Sequence, residues 1–84
     1  MFTPDLETES KAYAQWFVEQ HLKAPSTAEF NWDNEAVEID DDVWQVTGSV
    51  DSENSFGGMI RSNYTVEVRY KGDNDWELLN IYFD

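Results

Sequence analysis

The chain has 84 residues, a formal net charge of -13 from 18 acidic and 5 basic side chains, and no cysteine. That length supports a single domain, residues 1–84, built on one core. The charge opposes direct binding to nucleic-acid phosphates and insertion into or adhesion to an anionic membrane, and the missing thiols exclude disulfide scaffolds, thiolate zinc sites and iron–sulfur clusters.

The first ten residues include Asp5, Glu7 and Glu9 and no basic segment leading into an apolar run, so no secretory signal is expected. No apolar stretch approaches the roughly 20 residues of a membrane span. The expected location is cytoplasmic, or extracytoplasmic if this is a processed lipoprotein module. Pro4 and Pro25 bracket a helical pattern in which Leu6, Tyr13, Trp16, Phe17 and Gln20 share one stripe at 3.6-residue spacing. The pattern predicts an amphipathic helix over 5–22, with acids in its first turns, Lys23 at its end and Trp16 as a large buried ring. Ser26-Thr27-Ala28-Glu29 fits a capping box and predicts one tight turn, after which Phe30 turns inward.

Period-two alternation then predicts strands. Over 35–39, Val37 and Ile39 take the dry face. Over 43–50, Trp44, Val46, Gly48 and Val50 share a face, and over 60–71 Ile60, Tyr64, Val66, Val68 and Tyr70 do so. Residues 76–83 are apolar on both faces, as in a central or helix-covered strand. The runs 40–42 and 72–75 supply turns. The expected fold is α+β, an N-terminal amphipathic helix packed on a four-stranded antiparallel meander.

Two segments carry a resemblance. Residues 22–30, LKAPSTAEF, and 48–58, GSVDSENSFGG, are similar to the motifs LK-x-P-x-S-A-x-F and G-x-V-x-x-x-NSFG of a small bacterial and phage domain family. That family occurs alone or as the C-terminal module of lipoproteins and has no assigned activity. The similarity extends over about residues 14–83, and Thr27 stands where the family usually has Ser. The resemblance implies the fold and a non-catalytic role.

The chemistry-bearing residues are few. His21 is the only histidine, too little for a zinc site or a Ser-His-Asp triad without help from carboxylates alone, and it reads as a surface residue near a helix end. No glycine-rich phosphate loop, G-x-S-x-G or H-E-x-x-H is present. No enzyme activity, cofactor or metal is expected. Asp73, Asp75 and Glu77 alternate as calcium ligands can, but the glycine and terminal glutamate of an EF-hand loop are missing, and a hairpin turn is the simpler reading.

Two features remain as candidate partner-binding residues. The loop 51–58 admits a shaped turn in which Phe56 plugs the core edge, or an exposed Phe56 that anchors a partner. Residues 1–58 hold 13 acids and 2 bases, whereas 59–84 hold 5 and 3. Glu29, Asp33, Glu35, Glu38, Asp40, Asp41 and Asp42 follow one another without a Lys or Arg. Such a run is either a solvated face or a surface for a partner. Glu35, Glu38, Asp40, Asp41, Asp42 and Phe56 are therefore the candidate contacts of an acidic protein-interaction module whose partner is a protein with a basic surface. The alternative is a phage-encoded nucleic-acid mimic that inhibits a host restriction or CRISPR nuclease.

Overall fold

The computed structural model describes residues 5–84; Pro4, expected as helix punctuation, lies outside them. One helix, α1 (Leu6–Glu19), is followed by a 3-10 turn (Pro25–Thr27) and five strands, β1 (Glu29–Phe30), β2 (Glu35–Asp40), β3 (Val43–Glu53), β4 (Met59–Tyr70) and β5 (Trp76–Phe83). All pairings are antiparallel. β1 and β2 both pair with β3, and the path continues through β4 to β5. The α+β arrangement of a helix on an antiparallel sheet is as expected, with five strands rather than four because residues 29–30, expected at the end of a turn, form the short extra strand β1.

The helix begins where Asp5 caps it: the Asp5 carboxylate accepts from the Thr8 N–H at 3.2 Å and from the Thr8 hydroxyl at 2.7 Å, satisfying a free donor of the first turn. Those bonds hold the Asp5 carboxyl below its ordinary value. The helix ends at Glu19, earlier than the sequence pattern suggested, and Lys23 lies beyond it. The face against the sheet is Ser10, Ala14 and Val18, all fully buried and spaced four apart. Ser10 donates to the Glu7 carbonyl at 2.7 Å, so its hydroxyl can be buried without an unpaired donor. Small side chains at the contact bring the helix axis close to the strands and push the rings to its flanks. Tyr13 and Phe17 are half-buried there, and Trp16, expected in the core, is 54% exposed.

The 3-10 turn forms without the expected capping box. Ala24, its cap, makes no side-chain bond, and Ser26 and Glu29 are exposed. Thr27 does the work instead. Its hydroxyl donates to the Ala24 carbonyl at 2.7 Å and accepts from the Glu53 N–H at 3.0 Å, tying this turn to the end of β3. Phe30 points inward and meets the Tyr64 ring edge-to-face at 6.0 Å.

Val46, Val50, Tyr64, Val66, Val68 and Trp76 form the core with Ala14 and Val18, each buried valine stabilising the fold by about 1.5–3 kcal/mol relative to exposure. In β4 the expected alternation holds over Tyr64, Val66 and Val68, but Ile60, expected on the dry face, is 47% exposed at the hairpin end of the strand. In β2 it does not: the register sets Ala36 opposite Val46 on the helix side, and Val37 opposite Gln45 on the outer face. Val37 and Ile39 are exposed. The cause is position: β2 is an edge strand with an irregularity between Glu38 and Asp40, so its apolar side chains mark neither core nor parity. β5 is the opposite edge rather than a central strand, and, as the other expectation had it, α1 covers one of its faces, with Tyr13 stacked on Trp76. Trp76, Leu78 and Ile81 pack toward the core, while Tyr82 is exposed on the other face.

The outer face of the sheet is uncovered and polar. Arg61 grips Asp51 through two bonds of 2.8 and 3.1 Å. Gln45 and Asn80 both donate to Glu67, and Arg69 lies 3.7 Å from Glu77. The Arg61 guanidinium beside Asp51 holds that carboxyl below its ordinary value. These cross-strand pairs are typical of a solvated face.

Candidate functional site

The residues singled out in the sequence separate into two places. Glu35, Glu38, Asp40, Asp41 and Asp42 lie on β2 and the turn into β3, all exposed. Phe56 lies in the β3–β4 hairpin. Because the turn at Asp41-Asp42 and that hairpin are at opposite ends of β3, whose 11 residues span about 35 Å, one compact partner contact cannot include both.

The acidic end is ordered by its own main chain. Asp42 takes positive φ (59°), as the tight turn demands, and its carbonyl accepts from the Tyr70 N–H at 2.7 Å. Glu38 accepts from the Asp42 N–H at 3.2 Å and Asp40 from the Asp41 N–H at 2.8 Å. Glu35 shares the outer face with Val37, whereas Glu38 is opposite Trp44 on the helix side, so the carboxylates flank both sides of one strand edge. Among the described residues none of the five lies within 4 Å of a basic group; the two ion pairs present are those of Arg61 with Asp51 and Arg69 with Glu77. Sequence reasoning missed Trp32. It occupies the break between β1 and β2 and is 93% exposed, an aromatic beside the same acidic edge. A ring between Asn31 and Asp33, in a segment with no alternation, was the available signal.

The hairpin end is also built by its motif. Asn54 Oδ1 accepts from the N–H groups of Phe56 and Gly58 at 2.9 and 3.0 Å, and Gly57, at φ 82°, donates to the Asn54 carbonyl. Asn54 and Gly57 thus shape the turn. Phe56 does not plug the core edge: its ring is 96% exposed. Beside this hairpin a cavity of about 300 Å³ opens between the end of α1 and the sheet, lined by His21, Lys23, Ser52, Asn54, Ile60 and Phe83. Leu22 and Ser55 also line it, so the two motif segments, distant in sequence, meet at one place. His21 is exposed and its Nδ1 lies 2.9 Å from the Phe17 carbonyl, a helix-end position.

Among the described residues no group of three His, Asp or Glu side chains is arranged to hold a metal ion, and Gly72, Asp73 and Asn74 take the positive φ values of a hairpin turn. No described helix is long and apolar enough to cross a membrane. Comparison with known protein families, with curated proteins and with solved structures finds no match.

Proposed function

We propose that this chain is a non-catalytic protein-interaction module, of the bacterial and phage kind its two motifs resemble, and that it docks a partner with a basic surface on the acidic edge of β2. The observation that carries this reading is the uncompensated set Glu35, Glu38, Asp40, Asp41 and Asp42, exposed on one strand edge while Arg61 and Arg69 are committed to Asp51 and Glu77. Like charges held together in a compact state cost stability, and a basic partner relieves that repulsion while its encounter rate is raised by the complementary field. Phe56 is a second contact point at the far end, independent of the first.

Nucleic-acid mimicry has less support. The Arg61 and Arg69 pairs interrupt the negative charge on the outer face of the sheet, whereas a mimic needs unbroken carboxylates along the length of a phosphate backbone. Affinity capture from a host lysate, run in parallel with wild type and with the Asp40→Asn, Asp41→Asn, Asp42→Asn triple variant, tests the proposal. Proteins retained by the wild type and lost by the variant support it; identical captured sets contradict it. Competition of the captured partner by DNA would move the reading to mimicry.

A further inference from the structure

We infer that β2 is a strand-addition site: an extended segment of the basic partner, with Lys or Arg alternating with β-branched apolar residues, pairs with the free edge of β2. The inference rests on the proposed function for the sign of the partner's charge and adds how its chain is held.

The main-chain alternation locates the free groups. The Asn31 N–H donates to the Ser49 carbonyl, and the Tyr70 N–H donates to the Asp42 carbonyl. Odd-numbered residues of β3 therefore turn their main-chain groups toward β1 and β2, and even-numbered ones toward β4. Glu35 and Val37, opposite Thr47 and Gln45, are the members of β2 that bond to β3. The N–H and C=O groups of Ala36 and Glu38 point outward, and among the described residues no strand pairs with that side. An edge of this kind is a template for another chain unless Pro, Lys, a bulge or a covering element blocks it; β2, Glu-Ala-Val-Glu-Ile-Asp, has no Pro or Lys, and its irregularity between Glu38 and Asp40 confines the regular edge to residues 35–38.

Charge selects the occupant. A second copy of this chain would set the same carboxylates against each other at a net charge of -13 per molecule, which like-charge repulsion disfavours. In an added strand with alternating Lys or Arg, the apolar residues share the outer face with Val37 and Ile39, 54% and 49% exposed, and the cations fall on the helix side beside Glu38. Trp32, just before the strand, offers a ring face to a cation. The other edge, β5, lacks this complementarity, since its one acid, Glu77, already faces Arg69.

The test uses a capped hexapeptide of alternating lysine and valine, and the same peptide methylated on every amide nitrogen, which keeps the charge and loses the donors. Amide hydrogen exchange by NMR and a binding titration are the readouts. Strand addition predicts that the plain peptide slows exchange at Ala36 and Glu38 at least about tenfold, and that methylation weakens binding at least about tenfold. Ala36→Pro should weaken the plain peptide similarly: its N–H points outward, so no ladder bond is lost and every carboxylate stays. Should that variant fail to fold, the methylated peptide still decides. Equal binding of both peptides, with no protection at Ala36 and Glu38, overturns strand addition and leaves charge-driven docking standing. Protection at those amides that is indifferent to salt and to the Asp40, Asp41, Asp42 triple variant upholds strand addition and removes the acidic docking reading. No binding of the plain peptide overturns strand addition, and the lysate capture then judges the docking reading by itself.

Discussion

Gly48 and Tyr64 are direct cross-strand partners in the β3–β4 ladder, and the Tyr64 ring lies across the bare α-carbon of Gly48. A β-carbon at position 48 would stand 2.5 Å from the Tyr64 hydroxyl oxygen and 2.8 Å from the ring carbon that bears it. Tyr64 is 2% exposed and has no room to withdraw. Gly48→Ala should therefore destabilise by about 1–3 kcal/mol in urea unfolding. Adding Tyr64→Phe removes the closer clash only and should restore part of that loss. Additive effects would show that the two residues do not press on each other.

Tyr64 also predicts an alkaline limit. Its hydroxyl makes no hydrogen bond of good geometry, although the Gln15 and Asn34 side chains lie close to it; burial raises its pKa above the ordinary value, and those two neighbours offset part of the rise. As pH climbs past about 10, the unfolded chain releases this proton before the folded one does, so stability present below that pH is lost as the folded pKa is approached. Tyr64→Phe should be neutral or stabilising near neutrality and should flatten the decline above about pH 10. An equal decline in wild type and variant contradicts this assignment.

On the helix, size should matter in the opposite sense to a simple reading of its aromatic stripe. Trp16→Ala removes a half-exposed ring whose partner is Phe17, with centroids 5.2 Å apart, and should cost only about 1 kcal/mol. Ala14→Leu forces three extra carbons into the closed seam between α1 and the sheet and should cost about 1–3 kcal/mol. Chemical denaturation of the two variants checks the order.

Thr27 joins the two motif segments through one hydroxyl. Thr27→Val leaves the buried side of the Glu53 N–H without its acceptor and should cost about 1–3 kcal/mol. Thr27→Ser keeps the hydroxyl and should lie within about 0.5 kcal/mol of wild type. Amide exchange at Glu53 reports the bond directly, rising in the Val variant and unchanged in the Ser variant.

The sequence was most readable where one face of a strand is fully buried, as over Tyr64, Val66 and Val68 of β4, because there alternation and packing agree. It misled at β2: Val37 and Ile39 look like a core face, but on an edge strand the small Ala36 is what fits beneath α1. The helix hid its contact face for a related reason, since Ser10 and Ala14 carry little hydrophobic signal and yet allow the closest approach. The acidic run could be read directly from composition. Its separation from Phe56 could not, because that depends on the length and direction of β3. Trp32 escaped notice because the break between β1 and β2 follows no period.

The central claim, that the β2 edge is the docking surface for a basic partner, is tested most directly by association kinetics of the lysine–valine hexapeptide with wild type, the Asp40→Asn, Asp41→Asn, Asp42→Asn triple variant and Phe56→Ala, at low salt and at about 0.15 M NaCl, where the Debye length is about 8 Å. The triple variant keeps the shape of the turn, because Asn tolerates the positive φ of Asp42, and removes three charges. The on-rate should fall severalfold in the triple variant and in salt, with Phe56→Ala indistinguishable from wild type. An on-rate that is unchanged in the triple variant and falls in Phe56→Ala would contradict the claim and move the docking surface to the hairpin end.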